Sequence, residues 1–454
     1  MAKTKTRDMT TGSIWKHLIA FAIPLILGNL FQLTYNAVDS IVVGRIAGDA
    51  ALAAVGTSDP VMNLLILGIT GTCIGASVIM SNCFGAGDTE RLKQEMGTSL
   101  IIGGILSAIV FIGGLIFAKK ILILMKTPEE ILDDAVTYLR IIFIGMPFTC
   151  LYNIYASALR SVGDSKTPVR FLAISSVLNI LMDLLFIAVF HMGVVGAALA
   201  TDLAEGLSAL FCMIYVYKKV PILHVTRDHF RFRKDLFAKT LSYGGATALQ
   251  QCSQPIGKLF IQGMVNTLGV STMAAFNAVG KIEDFALVPE RSISNSMMTF
   301  GAQNDGAGKE KRILKGLYTG LLLETLYFVF ICIVILLFHK PLLSLFSESE
   351  LTLSEGSKYF SIMAFFYIMP GFTNGLQGFF RGLGNMKVTL YGTLIQITGR
   401  VIVTYLLIDR LGITGVAYAC AAGWICMLGL QIPYAIHLLN KRKKNRKETE
   451  EPVV

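Results

Sequence analysis

Charged residues are scarce in this chain of 454 residues, since 15% are Asp, Glu, Lys or Arg while 54% are hydrophobic. The mean hydropathy is +0.62. This balance excludes a disordered protein and an ordinary soluble one, and it predicts a polytopic membrane protein. The net charge of +10 does not indicate a nucleic-acid partner, because the basic residues lie in short segments between apolar runs.

Cysteine patterns typical of disulfide frameworks or zinc sites are also missing. The 8 cysteines include no Cys-x-x-Cys pair, and nearly all lie within apolar runs. This argues against a disulfide framework and a zinc site, and no cofactor is expected. A cleavable signal peptide is not predicted, because the first apolar segment is long and interrupted by Pro24. That segment is therefore predicted to be a retained membrane span.

Twelve apolar segments follow one another along the chain. Each has about 20–28 residues, enough for a tilted helix to cross ~30 Å of hydrocarbon. The eighth is predicted at Ala274–Phe300 and the tenth at Tyr359–Phe379. Basic residues, Lys3 and Lys5 among them, concentrate in alternate loops. The positive-inside rule then places both termini in the cytoplasm. The chain is therefore predicted to be a multi-pass protein of the inner (cytoplasmic) membrane.

The second half of the chain repeats motifs of the first. Leu159–Lys166 resembles Phe380–Lys387, and Phe84–Ala86 resembles Phe300–Ala302. Six helices per repeat predict an all-α fold of two six-helix bundles, related by a pseudo-two-fold axis along the membrane normal. The predicted order is an N-lobe with helices 1–6 at residues 1–217, a basic cytoplasmic linker at 218–235, a C-lobe with helices 7–12 at 236–440 and a charged cytoplasmic tail at 441–454.

Acidic residues are rare inside the predicted spans, and two of them stand out. Asp39 lies in the first span and Asp183 in the fifth. A carboxylate inside a span costs ~2.5–3.5 kcal/mol on insertion scales, so it is retained chiefly for function. Both lie about fifteen residues, or roughly 22 Å, from the inner end of their helices. The two carboxylates are therefore predicted at a similar depth.

Other polar side chains extend this pair into a predicted cluster: Tyr35, Asn36, Asn179 and Thr201. Neighbouring carboxylates in a poorly solvated site can share a proton or hold a cation. The predicted coupling ion is H⁺ or Na⁺, and the oxygen ligands predicted for sodium are those of Asp39, Asn179, Asp183 and Thr201.

A structural role competes with the coupling role for each acid, because hydrogen bonds between helices would also retain a carboxylate. The structural interpretation is favoured for three further acids: Asp202, Glu205 and Glu324. Glu283 and Asp284 follow Lys281, so a neutralised pair with Lys281 or Lys258 competes with a coupling site there.

Pro24 is predicted to bend the first helix. A proline inside a helix lacks the N–H that would bond to the carbonyl four residues earlier, here that of Ala20. Gly28, one turn later, adds conformational freedom. A helix that bends and carries Asp39 is suited to coupling a cation to a conformational change.

Several of these motifs resemble the MATE family, the multidrug and toxic compound extrusion transporters. They are the first helix with Pro24 and Asn36–Asp39, the loop Phe84–Asp88, the turn from Leu159 to Thr167 and the stretch Gln303–Lys309. The likeness covers essentially the whole chain. It implies the branch of the family with an N-lobe cation site, here Tyr35, Asp39, Asn179, Asp183 and Thr201. The acids of the other branch are absent from Leu249–Gln251 and from Ile368–Gly371.

The expected function is export of small organic compounds, cationic and amphipathic, by an antiporter that acts as a monomer in the lipid bilayer. Two alternatives stay open: a flippase for a lipid-linked or amphipathic metabolite, and a polytopic membrane enzyme. Few basic residues lie in the spans, whereas a flippase is expected to line its cavity with arginines. The residues proposed to line the substrate cavity are Gln32, Gln250, Gln251, Gln254, Met363 and Tyr367.

Overall fold

The computed structural model describes residues 6–450, with side chains described through residue 444, and this part of the chain contains helices and no strands. Lys3, Lys5 and residues 451–454, on which the orientation and tail predictions partly rest, lie outside the described residues. The described chain holds fourteen α-helices. The first six are α1 (Ile14–Val42), α2 (Asp49–Ala86), α3 (Thr89–Leu124), α4 (Glu129–Ser161), α5 (Lys166–Asp183) and α6 (Gly193–Lys219).

The predicted basic linker contains two short 3₁₀ turns, Pro221–Leu223 and Arg227–Phe230, and a third, Asn266–Leu268, follows α7. The remaining helices are α7 (Lys234–Val265), α8 (Val270–Ala286), α9 (Val288–Gly306), α10 (Glu310–Ser344), α11 (Glu350–Phe366), α12 (Ile368–Gly382), α13 (Met386–Leu411) and α14 (Ile413–Glu450). Within the described range, nine helices are long and apolar enough to span a membrane.

The predicted eighth and tenth helices are each broken in two. The first break falls at Leu287, between α8 and α9, and the second at Tyr367, between α11 and α12. Pro289 and Pro370 follow these breaks within three residues, and neither can donate the hydrogen bond that would continue the preceding helix. When each broken pair is counted once, the helices correspond to the twelve predicted segments.

The chain forms two compact units. One consists mainly of Ile23–Ala248, and the other of Met9–Ala22 with the chain from Leu249 onward. Each unit therefore contains part of α1 and part of α7. In the first unit α4 packs against α2, α3 and α6, and two glycines of α3, Gly103 and Gly114, face Ile154 and Phe143 too closely for a methyl group. In the second unit α9 packs against α10 and α12, and α13 against α14.

Acidic residues in two loops of the first unit bond to the starts of the helices that follow them. Asp88 accepts a hydrogen bond from the Arg91 N–H at 2.9 Å and caps α3. Asp164 accepts bonds from the Thr167 N–H at 3.0 Å and its hydroxyl at 2.6 Å, at the start of α5. Gly163, with φ +86°, turns the chain just before it. These contacts satisfy the otherwise unpaired N–H groups of a helix start.

The segment Met9–Ala22, called here the N-terminal strap, is held by the turn between α9 and α10. The Met9 N–H donates to Gln303 Oε1 at 2.9 Å, and Lys309 Nζ donates to the Thr10 carbonyl at 2.9 Å. Arg312 donates to strap carbonyls as well, with its Nη2 3.0 Å from the Met9 oxygen. The stretch Gln303–Lys309 therefore anchors the beginning of α1 within the second unit.

Candidate functional site

Asp39 and Asp183 come together in the first unit. Their carboxyl groups approach closely enough to share one proton in a hydrogen bond. Asp39 lies near the end of α1, and Asp183 is the last residue of α5. The Asp183 side chain is 0% exposed. Two ionised carboxylates at this separation repel each other, so the arrangement needs a proton or a cation between them.

The polar atoms around this pair are buried and lack protein partners. Apart from the contact between the two carboxyl groups themselves, Asp39 Oδ1, both carboxylate oxygens of Asp183 and both amide atoms of Asn179 have no hydrogen-bond partner among the described residues. Asn179 is 0% exposed and lies one turn before Asp183 on α5. A buried polar atom without a partner costs free energy, so this set fits a bound proton or a sodium ion held by the carboxylate and amide oxygens.

Aromatic and acidic neighbours complete the site. Tyr35, one turn before Asp39 on α1, lies within electrostatic range of Asp39, Asp183 and Glu205. Glu205 was predicted to be structural, yet its Oε2 atom is buried and has no hydrogen-bond partner in the described chain. Tyr138 on α4 is also close enough to Asp39 and Tyr35 to interact with them electrostatically. The sequence reasoning missed Tyr138, which carries no signal beyond a polar group in an apolar helix.

Three further residues considered for the site are Thr201 and Asn36 of the predicted cluster and the acid Asp202. The Thr201 hydroxyl donates to the Ala197 carbonyl of its own helix at 3.1 Å, so only its lone pairs remain for a cation. Asn36 is exposed. The Asp202 carboxylate lies against Gly145 of α4, which agrees with its predicted structural role. The closest grouping is therefore Asp39 with Asp183, beside Tyr35 and Asn179.

Both helices that carry the paired aspartates continue as a π-helical turn. Val43–Ala47 follows α1, and Leu184–Val189 begins directly after Asp183. The two turns pack against each other. A π-turn inserts one residue into the helical register and often marks a functional site. No pattern in the sequence predicted these turns.

Pro24 is buried, and α1 continues through it. It lies one residue after Ile23, where the division between the two units crosses the helix. Gly28 allows close approach to Val169 of α5, since an added methyl group would lie 2.7 Å from Val169 Cγ1. Gln32 of the predicted cavity set is partly exposed one turn later.

Three other residues predicted to line the cavity are buried in the second unit. Gln250 is 2% exposed, and its Nε2 donates to Gln377 Oε1 at 2.7 Å and to Thr393 Oγ1 at 2.9 Å. Met363 and Tyr367 belong to the apolar core of that unit. Within this unit they are interior residues and not an open lining, because protein groups already contact them. Of the last two predicted residues, Gln251 is partly exposed and Gln254 is exposed.

Glu283 of α8 is partly neutralised by its neighbours. Tyr367 donates its hydroxyl hydrogen to Glu283 Oε1 at 2.7 Å, and the cations in range are Arg400 and Lys258. The predicted pair of Glu283 with Lys281 or Lys258 is not a contact ion pair among the described residues; Arg400 and Lys258 attract Glu283 only at longer range. Glu324 differs from its prediction: helix-stabilising hydrogen bonds were expected, yet both of its carboxylate oxygens are buried and lack partners among the described residues.

Comparisons with known proteins agree with this architecture. The MatE family model matches residues 24–185 and 246–406, two stretches that fall almost entirely in separate units. The probable multidrug resistance protein YpnP of Bacillus subtilis (strain 168) is 31% identical over 393 residues, 86% of this chain and 88% of that protein. YoeA of the same strain, also described as a probable multidrug resistance protein, is 30% identical over 399 residues, 86% of each chain.

A solved structure has the same fold. It is the outward-facing conformation of a multidrug resistance MATE family transporter of the MOP superfamily, with a TM-score of 0.91. The match covers 98% of this chain and 100% of that one at 24% sequence identity. The predicted twelve-helix membrane fold and the duplication are therefore confirmed.

Proposed function

Because the chain belongs to the MatE family of multi-pass membrane transporters, and so is not an enzyme, we propose that it exports organic compounds in exchange for a proton or sodium ion. The substrates proposed are amphipathic organic cations, including antibiotics. The names of YpnP and YoeA support multidrug export. The protein would act as a monomer in the cytoplasmic membrane with both termini inside.

The observation that carries the proposal is the close pair Asp39 and Asp183, with buried oxygens on both side chains that no other residue of the described chain satisfies. A cation between them removes their mutual repulsion. Without the cation, the two carboxylates lower their free energy by moving apart or by reaching water. Cation binding therefore favours one arrangement of α1 and α5 over another. Such a difference in affinity is what lets a gradient shift a conformational equilibrium.

The helix geometry around the pair supports a change of shape. The carbonyl of Ala20 lacks its usual helical donor because of Pro24, and π-turns follow both aspartates. In the proposed cycle, loading of the cation bends α1 at Pro24 and reorients the helices that contact the substrate. Release of the cation inside the cell then resets the site.

The size of the driving force follows from the exchange ratio. Exchange of one proton for one monovalent cationic substrate is electroneutral, so only the pH difference drives it, by about 1.4 kcal/mol or a tenfold concentration ratio per pH unit. A second coupling cation per cycle would add a dependence on membrane potential of about 2.3 kcal/mol per 100 mV. Transport rates at several imposed potentials therefore report the number of cations exchanged.

Dye transport in everted membrane vesicles tests the proposal. Vesicles that contain the protein receive a proton gradient or a sodium gradient separately, and accumulation of a fluorescent organic cation is followed. We expect accumulation with one of the two gradients and its collapse when the matching ionophore is added. Accumulation that needs ATP hydrolysis, or that neither gradient drives, would refute cation antiport.

A further inference from the structure

Two buried glutamates of the second unit, like the aspartate pair, have carboxylate oxygens without hydrogen-bond partners elsewhere in the described chain. Glu290 on α9 is 0% exposed and Glu324 on α10 is 2% exposed. All four of their carboxylate oxygens lack a hydrogen-bond partner in the described part of the chain. Taking one unpaired carboxylate out of water costs several kcal/mol. Only the Asn374 amide and the charge of Arg291 offset part of this cost for Glu290.

The two carboxyl groups face one small space beside α12. An ideal Cβ placed on Gly371 would lie 3.9 Å from Glu290 Oε1 and 3.8 Å from Glu324 Oε2. Its nearest heavy atom would be Glu324 Cβ at 3.5 Å. Because Gly371 has no side chain, the space between the carboxyl groups is not filled by this helix. The three helices α9, α10 and α12 pack against one another and thereby fix the arrangement.

The neighbouring groups do not neutralise the pair. The Tyr327 hydroxyl, which lies in the field of both glutamates, donates to the Ala286 carbonyl at 2.7 Å. Arg291 contributes an attractive charge to Glu290, but its side chain is exposed. The amide of Asn374 lies beside Glu290 and offers one further polar group.

We propose that Glu290 and Glu324 form a second cation site, which holds one monovalent cation, H⁺ or Na⁺, between the two carboxyl groups. A divalent metal is disfavoured, because the described residues contain no cluster of three or more His, Cys, Asp or Glu side chains. The inference does not rest on antiport, since cation occupancy can be measured on the purified protein without transport.

Two measurements on the protein in lipid nanodiscs at pH 7 test the site. Infrared absorption of protonated carboxyl groups is calibrated per protein molecule, and bound ²²Na⁺ is counted by scintillation proximity. The double variant Glu290→Gln, Glu324→Gln is compared with wild type. Glu348→Gln, the same change on an exposed glutamate of this unit, is the control and should leave both signals unchanged.

A shared proton predicts that the double variant loses one protonated carboxyl, whereas a sodium site predicts that it loses one bound ²²Na⁺. Gly371→Ala distinguishes a shared proton from a sodium site independently. The added methyl group fits without a clash, but it occupies the space that a sodium ion would need. It should lower Na⁺ affinity about tenfold or more and leave a shared proton in place. Loss of two protonated carboxyls would show two separate neutral acids, and no change in either signal would show an empty pair; both results overturn the proposal.

Discussion

Replacement of Arg312 with alanine should loosen the N-terminal strap from the second unit. Arg312 donates four hydrogen bonds: to the carbonyls of Gly12 at 2.9 Å, Met9 at 3.0 Å and Thr11 at 3.2 Å, and to Asn304 Oδ1 at 3.1 Å. The bonds to Gly12 and Thr11 are exposed, so water replaces them at little cost. The other two are partly buried, and bonds to charged groups contribute ~1.5–3 kcal/mol each.

Because other strap contacts persist, such as that of Lys309, we expect a loss of about 2–4 kcal/mol, or on the order of 10 °C in melting temperature. Fluorescence-detected size-exclusion chromatography after heating measures it. Lys311→Ala is the matched control, since it removes an adjacent exposed charge. Arg312→Lys, which keeps the charge but not the planar donors, should fall in between. If Arg312→Ala and Lys311→Ala melt within about 2 °C of each other, the strap is not held by these bonds.

Three further changes have defined outcomes. A cysteine placed next to Lys126 should react with an impermeant maleimide added outside intact cells, and one near Lys234 should not; the reverse labelling would overturn the proposed orientation. Pro24→Ala should lower the transport rate more than equilibrium drug affinity, because a straighter α1 resists bending; an unchanged rate would make Pro24 a packing kink. Asp164→Ala removes the cap contacts to Thr167 and should cost about 1–2 kcal/mol of stability, seen as a lower melting temperature; unchanged melting would contradict this role.

The proximity of Asp39 and Asp183 could be predicted from the sequence because both are acids inside predicted spans, and membrane helices cross a layer of fixed thickness. Counting residues from the helix ends at 1.5 Å each gives an estimate of depth. The count of about fifteen residues holds roughly for Asp183, but it is wrong for Asp39, because α1 begins at Ile14, much further from Asp39. Depth does not give rotation about the helix axis or the choice of neighbour. That is why Asn36 was predicted to join the cluster although it is exposed, whereas the Thr201 hydroxyl donates within its own helix and keeps its lone pairs for a cation.

The pair of Glu290 and Glu324 could not be predicted in the same way. Glu290 lies directly after Pro289 in a span that breaks at Leu287, so no continuous helix fixes its depth from the sequence. Gln250 shows a related limit: a polar residue in a span needs a partner, but the sequence does not say whether a solvent-filled cavity or a protein group supplies it. Here Gln377 and Thr393 supply it.

The most direct test of the central claim separates coupling from substrate movement. Asp39→Asn and Asp183→Asn are reconstituted in liposomes, with Asp133→Asn as an exposed control. Equilibrium exchange of labelled substrate is measured without a gradient, and uphill transport is measured with one. We expect both variants to keep equilibrium exchange and lose uphill transport, while the control keeps both. Uphill transport at the wild-type rate in Asp39→Asn and Asp183→Asn would contradict the assignment of this pair as the coupling site.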